Sequence, residues 1–326
     1  MLISRTPLRI SLGGGGTDLP SYYSRNGGFV VAAAIDRYVY IAINRTFTDD
    51  YFLKYSALER VRAVEEIEHP IIRHALELHP VGPALEIVSV ADIPAGTGLG
   101  SSGSFTVGLL RALHGFKRHP VTHSDLAEEA ARIEIELLQE PAGKQDQYIA
   151  AFGGLTCFEF HTDGTVHVSP LSISTETLHD LEENLLMFFT GYSRSASELL
   201  TDQRTRTEAD DEAMVANLDR IKEIGVETCR VLEAGDTSAF GRLMHEHWLH
   251  KKERSPGMSN DDLNRWYDLA IENGAVGGKL VGAGGGGFLL FYTRDQAALR
   301  EGLGAEGLPE VRFTFDHDGS TLIVRD

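Results

Sequence analysis

Pro94-Ala95-Gly96-Thr97-Gly98-Leu99-Gly100-Ser101-Ser102-Gly103 is the segment on which the organisation of this chain turns. An apolar run at 84–91 leads into it, and helical spacing follows over 103–115, with Val107, Leu110 and Leu113 on the apolar side. Glycine at 96, 98, 100 and 103 lets the backbone take positive φ and come close to a ligand. A helix that starts here offers free N–H groups and the positive end of its dipole to an anion. Ser101 and Ser102 add hydroxyls for phosphate or Mg²⁺. The segment therefore reads as a cradle for the phosphates of a nucleoside triphosphate, with a ligand-free tight turn as the bland alternative.

Two other phosphate loops fit less well. A Walker A loop needs a lysine that this segment lacks. Gly98 to Gly103 does match the dinucleotide fingerprint, but no second strand ending in Asp or Glu follows about 20 residues on. That stretch reads Lys117-Arg118-His119-Pro120. Gly282 to Gly287 matches the same loose pattern and runs into a strand rather than a helix.

Outward from the loop, residues 2–12, 28–35, 37–45 and 155–160 read as strands, and 124–139 as a helix. Beyond about residue 170, 185–189, 287–293 and 320–325 read as strands, and 208–234, 236–252 and 259–273 as helices. Strands and helices in blocks predict an α+β protein. The 326 residues suggest two domains, 1–168 and 169–326. No internal repeat is visible.

The formal charge is −18, from 30 Lys and Arg against 48 Asp and Glu. Such a field disfavours nucleic acid and anionic membranes as partners. An anionic substrate would need local cations or backbone N–H groups. The two cysteines, Cys157 and Cys229, form no disulfide framework. With no apolar run of membrane length and no leader-like start, they suggest a cytoplasmic enzyme. A homodimer is the prior for oligomeric state.

Three ordered motifs resemble the GHMP kinases, the family of galactokinase, homoserine kinase and mevalonate kinase. The first is Pro7-Leu8-Arg9-Ile10-Ser11-Leu12-Gly13-Gly14-Gly15-Gly16-Thr17-Asp18, the second Pro94 to Ser102, and the third Lys279 to Gly287. Gly103 stands where the family usually has Ala. The resemblance implies a ribosomal-S5-like, ATP-binding N-terminal domain and a ferredoxin-like C-terminal domain. The runs 9–20, 143–148 and 277–287 resemble in particular the D-glycero-D-manno-heptose 7-phosphate kinases, which phosphorylate the anomeric hydroxyl to give a 1,7-bisphosphate. A fucose- or galactose-type anomeric kinase and a catalytically silent sugar sensor are the alternatives.

The resemblance also implies roles. ATP lies against Pro94, Gly96, Thr97, Gly98, Leu99, Gly100, Ser101, Ser102 and Gly103. Asp146 matches the catalytic Asp and Arg9 its cation, with Lys144 a second candidate by its place in the sequence. Glu134 stands twelve residues before Asp146, where galactokinases carry their Mg²⁺-binding Glu, and Ser102 would complete the shell. The sugar falls to Gly13, Gly14, Gly15, Gly16, Thr17 and Asp18, with Gly284 and Gly285 from the third motif. The family's Glu-His before Thr-Asp is replaced by Gly15-Gly16, a slimmer loop that suits a larger or phosphorylated sugar. Arg194 is the candidate cation for a substrate phosphate. His245 to His250 lacks the His-Glu-x-x-His spacing and reads as a helix surface, and 203–212 as a solvated helix start.

Overall fold

The computed structural model describes residues 1–191 and 197–325. Its larger sheet is built around two long strands, β1 (Leu2–Gly13) and β2 (Gly28–Arg45), paired antiparallel over nearly their whole length. Apolar residues occupy β2 without alternation from Val30 to Ile35, and all are fully buried, so both faces of the sheet are covered there. The other edge of β2 is shared. β3 (Tyr51–Lys54) and β4 (Leu58–Val61) form a hairpin beyond β5 (Leu85–Ala91), and β5 pairs with Val39–Arg45. β6 (Leu155–Phe160) pairs with Gly28–Ala33 and carries β7 (Val166–Pro170) at its outer edge. The helix Ser101–Lys117 lies against β1 and β2, and so does the helix Glu212–Glu233.

The smaller sheet has the order β8 (Leu185–Phe189), β10 (Phe288–Thr293), β9 (Ala275–Leu280), all antiparallel. A single bridge from Phe188 to Glu310 occupies the outer side of β8. Helices lie between β8 and β9 and again between β10 and Glu310, namely Asp261–Glu272 and Gln296–Ala305. The spatial order 310, β8, β10, β9 with those crossovers is the split β-α-β arrangement of ferredoxin-like folds, its last strand reduced to a bridge. The chain then returns to the first sheet, where β11 (Thr321–Arg325) pairs with Leu2–Arg5.

The two parts meet backbone to backbone at their glycine turns. A Cβ on Gly282 would fall 2.5 Å from the Gly98 Cα, and one on Gly98 would fall 2.7 Å from the Val281 carbonyl oxygen. Both glycines hold φ near +80°, at 82° and 86°. Only a residue without a side chain satisfies the space and the dihedral at once.

Candidate active site

A cleft of about 740 Å³ runs between the two glycine turns and along the first motif. Its wall holds Gly96, Gly98, Gly100, Ser101, Ser102 and Gly103 of the central loop. Gly100 adopts the left-handed conformation as the residue before the helix Ser101–Lys117, and no side chain caps that helix end. Its first N–H groups are thus left for a ligand. The Ser101 hydroxyl is buried without a partner among the described residues. Pro94, Thr97 and Leu99 stand behind the wall. Thr97 bonds back to the Pro94 carbonyl, and Leu99 is a core residue whose carbonyl takes the Arg9 N–H.

Arg9 and Asp146 meet at the inner end of this loop. Arg9 Nε is 2.7 Å from Asp146 Oδ1 and its Nη2 2.9 Å from Oδ2, a bidentate pair, while Nη1 donates to the Gly98 carbonyl at 2.5 Å. The arginine side chain is 6% exposed and the carboxylate 29%, so Asp146 keeps an open edge toward the cleft. Gly103 explains how the two helices come so close. A Cβ there would lie 2.8 Å from the Asp146 Cβ and 3.1 Å from the Gln147 nitrogen. An alanine at this position would push Asp146 away from the loop unless the helix Gln145–Phe152 shifted.

Glu134 reaches the same place by a different local device. The helix His123–Ala131 widens into a π-helical segment, Arg132–Leu137, and within it Glu134 faces inward on the same side as the buried Ala127 and Ala130. Its carboxylate accepts from Ser102 Oγ, from Thr106 Oγ1 at 2.9 Å and from the Gln147 amide. Burial pushes its pKa above the usual carboxylate value, the negative charge of Asp146 adds to that, and the three hydrogen bonds oppose it. Ser102 and Glu134 are hard oxygen donors side by side, facing the loop, and this donor set fits Mg²⁺.

At the other end of the cleft lie Gly15, Gly16 and Asp18. Asp18 accepts from the N–H groups of Gly16, at 3.0 Å, and Gln145, at 3.1 Å. Burial first, then Asp146, raises its pKa, while those two N–H groups pull it down. Gly13 and Gly14 are packing positions instead. Gly13 abuts Thr228, and Gly14 sits against the Phe29 carbonyl and Gly225. Thr17 is tied to the Gly14 and Phe29 carbonyls. None of the three reaches the cleft wall.

The structure corrects several sequence expectations. Lys144 points away from the cleft, with its ammonium held by both Glu128 oxygens and the Gly164 carbonyl. Gly284 and Gly285 pack on Met258, and the third motif meets the cleft through Lys279, Gly282 and Ala283. Arg194 lies outside the described residues. Residues 203–212 are no solvated helix start, because the helix Ser197–Glu208 buries Gln203 completely. Nor is the histidine cluster simply a surface, since His247 is buried and lines the cleft.

That last correction exposes what the sequence reading missed. The helix Thr237–Arg254 sets His247, Lys251 and Arg254 at i, i+4 and i+7, on one face. Lys279 joins them from β9. All four line the cleft and none is more than 5% exposed. Lys251 donates to the carbonyls of Leu280, at 2.9 Å, and Gly282. Arg254 donates to Gln203 Oε1 at 3.1 Å and the Gly15 carbonyl at 3.3 Å. Lys279 Nζ stands 3.1 Å from His247 Nδ1. Burial pulls the Lys251 ammonium down to about 7, helped by Arg254 and Arg9, and it pulls Arg254 down to about 10. The signal was available in the sequence. Basic residues stand at positions that continue the apolar stripe Phe240, Met244, Trp248.

The second missed group is aromatic. His69 stacks on Phe105 with ring centroids 4.9 Å apart, and Tyr55 meets His69 edge-on at 4.6 Å. The three close the far end of the cleft, past the glycine loop.

Comparison with known proteins fits this geometry. A family model described as the GHMP kinases N terminal domain matches residues 50–154, and one described as GHMP kinases C terminal matches 229–307. The chain is similar to the D-glycero-alpha-D-manno-heptose 7-phosphate kinase of Campylobacter jejuni, 32% identical over 306 residues, which cover 89% of this chain and 88% of that one. It is 26% identical to a galactokinase of Pyrococcus furiosus, over 90% of this chain and 89% of the other. Among solved structures, a D-glycero-D-manno-heptose 1-phosphate kinase from Bacteroides thetaiotaomicron aligns over 100% of both chains with a TM-score of 0.81 and 26% identity.

Proposed function

The chain belongs to the GHMP kinases, and on that footing we propose that it transfers the γ-phosphoryl group of ATP to the anomeric hydroxyl of a phosphorylated sugar. D-glycero-D-manno-heptose 7-phosphate is the first candidate, with the 1,7-bisphosphate as product. The observation that carries the reading is the bidentate Arg9–Asp146 pair, set against the Gly98 carbonyl with one carboxylate edge open to the cleft.

Phosphoryl transfer asks the protein for positioning and charge stabilisation rather than covalent chemistry. In our reading the purine lies against Tyr55, His69 and Phe105, and the triphosphate lies along residues 96–103 with its oxygens on the N–H groups that open the helix Ser101–Lys117. Ser102 and Glu134 would hold Mg²⁺, which neutralises charge on the triphosphate when bound. Asp18 and the backbone of Gly15 and Gly16 orient the sugar. Asp146 accepts the hydrogen bond of the anomeric hydroxyl and takes its proton as the oxygen bonds to phosphorus. The bond from the γ-phosphorus to the bridging oxygen breaks, and ADP leaves with that oxygen. Arg9 locks both Asp146 oxygens in place and sets a cation beside the developing charge. The nucleotide elements belong to the proposed domain 1–168, and the buried cations come mostly from 169–326.

A coupled ADP-release assay over a panel of sugars tests the reading. Heptose 7-phosphate is expected to release ADP with a kcat/KM at least tenfold above galactose, fucose and the unphosphorylated heptose. Equal rates with galactose or fucose would move the chain to that substrate class, and silence on every sugar would point to a sensor.

A further inference from the structure

The four basic groups that line the cleft, from Arg254 beside the Gly15-Gly16 turn to Lys251 beside Gly282, have no role in the chemistry described above, yet they are costly to keep. Lys251, Arg254 and Lys279 are each at most 5% exposed, and none makes an ion pair with a carboxylate among the described residues. Their hydrogen bonds go to carbonyls, to the side-chain amides of Gln203 and Asn217 and to a histidine ring nitrogen. Three cations removed from water without counter-charge destabilise a fold unless an anion completes them. The C-terminal dipole of the helix Thr237–Arg254 offsets only part of this. Asp18 acts on Arg254 from a distance, but both of its oxygens are occupied by N–H groups of Gly16 and Gln145.

We propose that Lys251, Arg254 and Lys279 form a subsite for the phosphate that the sugar substrate already carries, and that this subsite makes the enzyme select sugar phosphates over free sugars. The proposal rests on the reading of the cleft as a sugar kinase site. The position of Arg254 argues for the substrate's phosphate and against the triphosphate. Arg254 is bonded to the Gly15 carbonyl and packs on Gly16, on the sugar side of the cleft, whereas the triphosphate loop has its own helix N-terminus. The slim Gly15-Gly16 turn is what lets the guanidinium in. A Cβ on Gly16 would stand 2.4 Å from Arg254 Nη1. The chain as a whole is strongly acidic, so this buried cluster is also the means by which a dianion could be held despite the overall field. Burial, together with Lys251, Arg9 and Arg254, keeps the Lys279 ammonium well below the ordinary lysine range, and a bound dianion would reverse that.

The test uses inorganic phosphate as the probe on the full chain, so that it does not depend on turnover. Phosphate is expected to raise the Tm of the wild-type protein saturably, and to do so equally when a non-hydrolysable ATP analogue and Mg²⁺ are saturating. Lys279→Met should be at least as stable as wild type without ligand, because it removes a buried amine that is desolvated and has no carboxylate partner among the described residues, and it should lose the phosphate-dependent shift. Should that variant fail to fold, Lys251→Met takes its place with the same readings. In steady state, Lys279→Met should raise KM for the sugar phosphate roughly 30-fold, the scale of a lost charged hydrogen bond, while the ATP Kd stays within about twofold. Equal protection of the variant and the wild type by phosphate would overturn the proposal. So would loss of the phosphate shift in the presence of the ATP analogue, since the cations would then serve the triphosphate. If the wild type is protected as described but turns over no sugar phosphate, the subsite stands and the assigned substrate falls.

Discussion

Asp146→Asn is expected to lower kcat roughly 10³-fold, with the Kd for ATP changed by less than about twofold. The amide keeps the shape of the carboxylate and can still lie beside Gly103, but it cannot take the proton of the anomeric hydroxyl. Its NH₂ group would also face the Arg9 guanidinium, which now presents two donors to Asp146. Arg9 would be left buried, with the Gly98 carbonyl as its remaining partner among those hydrogen bonds. The variant should therefore also lose roughly 1–3 kcal/mol of stability, less than for a fully buried pair because Asp146 is 29% exposed. Single-turnover kinetics and calorimetric ATP titration separate the two effects. Wild-type turnover in the Asn variant would remove Asp146 from the reaction.

The second large effect is expected at Glu134. Glu134→Gln should cut kcat roughly 10²-fold and raise the Mg²⁺ concentration needed for half-maximal rate at least tenfold, since a neutral amide binds a hard divalent cation far more weakly. Its stability readout should move the other way. The carboxylate is 3% exposed, and burial outweighs its three hydrogen bonds in setting its protonation, so removing the charge relieves a desolvation cost. A merely structural Glu134 would give the reverse pattern, with a lower Tm and an unchanged Mg²⁺ requirement.

How much of this was legible before folding depended on whether chemistry or packing left its mark locally. The central loop did so, because glycine at positive φ and a helix start are local requirements, and Gly96, Gly98 and Gly100 all hold φ between 76° and 86°. The first motif was legible for Arg9 and Asp18 but not for Gly13, Gly14 and Thr17, whose neighbours Thr228, Gly225 and Phe29 come from elsewhere in the chain. The strands 28–35 and 37–45 read as separate, with Asp36 between them. In the fold they belong to one strand. β1 pairs Leu8 with Ile35 and Pro7 with Tyr38, so an irregularity in register absorbs the two extra residues.

The remaining misses share one cause. Lys144 was chosen for its distance from Asp146 in the sequence, but it precedes the helix Gln145–Phe152 and turns back to Glu128. Glu134 was legible through the resemblance, and it sits inward four residues after the buried Ala130; only the π-helical widening of its turn was not legible in the periodicity. The buried cations broke the ordinary expectation that Lys and Arg face water. A basic residue at a core position of an amphipathic helix is a signal, but only once the apolar stripe is traced first and the exception then weighed.

These particulars converge on a single reaction, and ³¹P NMR of the products tests it. Incubation with ATP, Mg²⁺ and heptose 7-phosphate should give ADP and a second phosphomonoester coupled to the anomeric proton, in equal amounts, with the original 7-phosphate resonance retained. ADP appearing with free inorganic phosphate and no anomeric phosphate, or a new phosphate on any other carbon, would contradict the account.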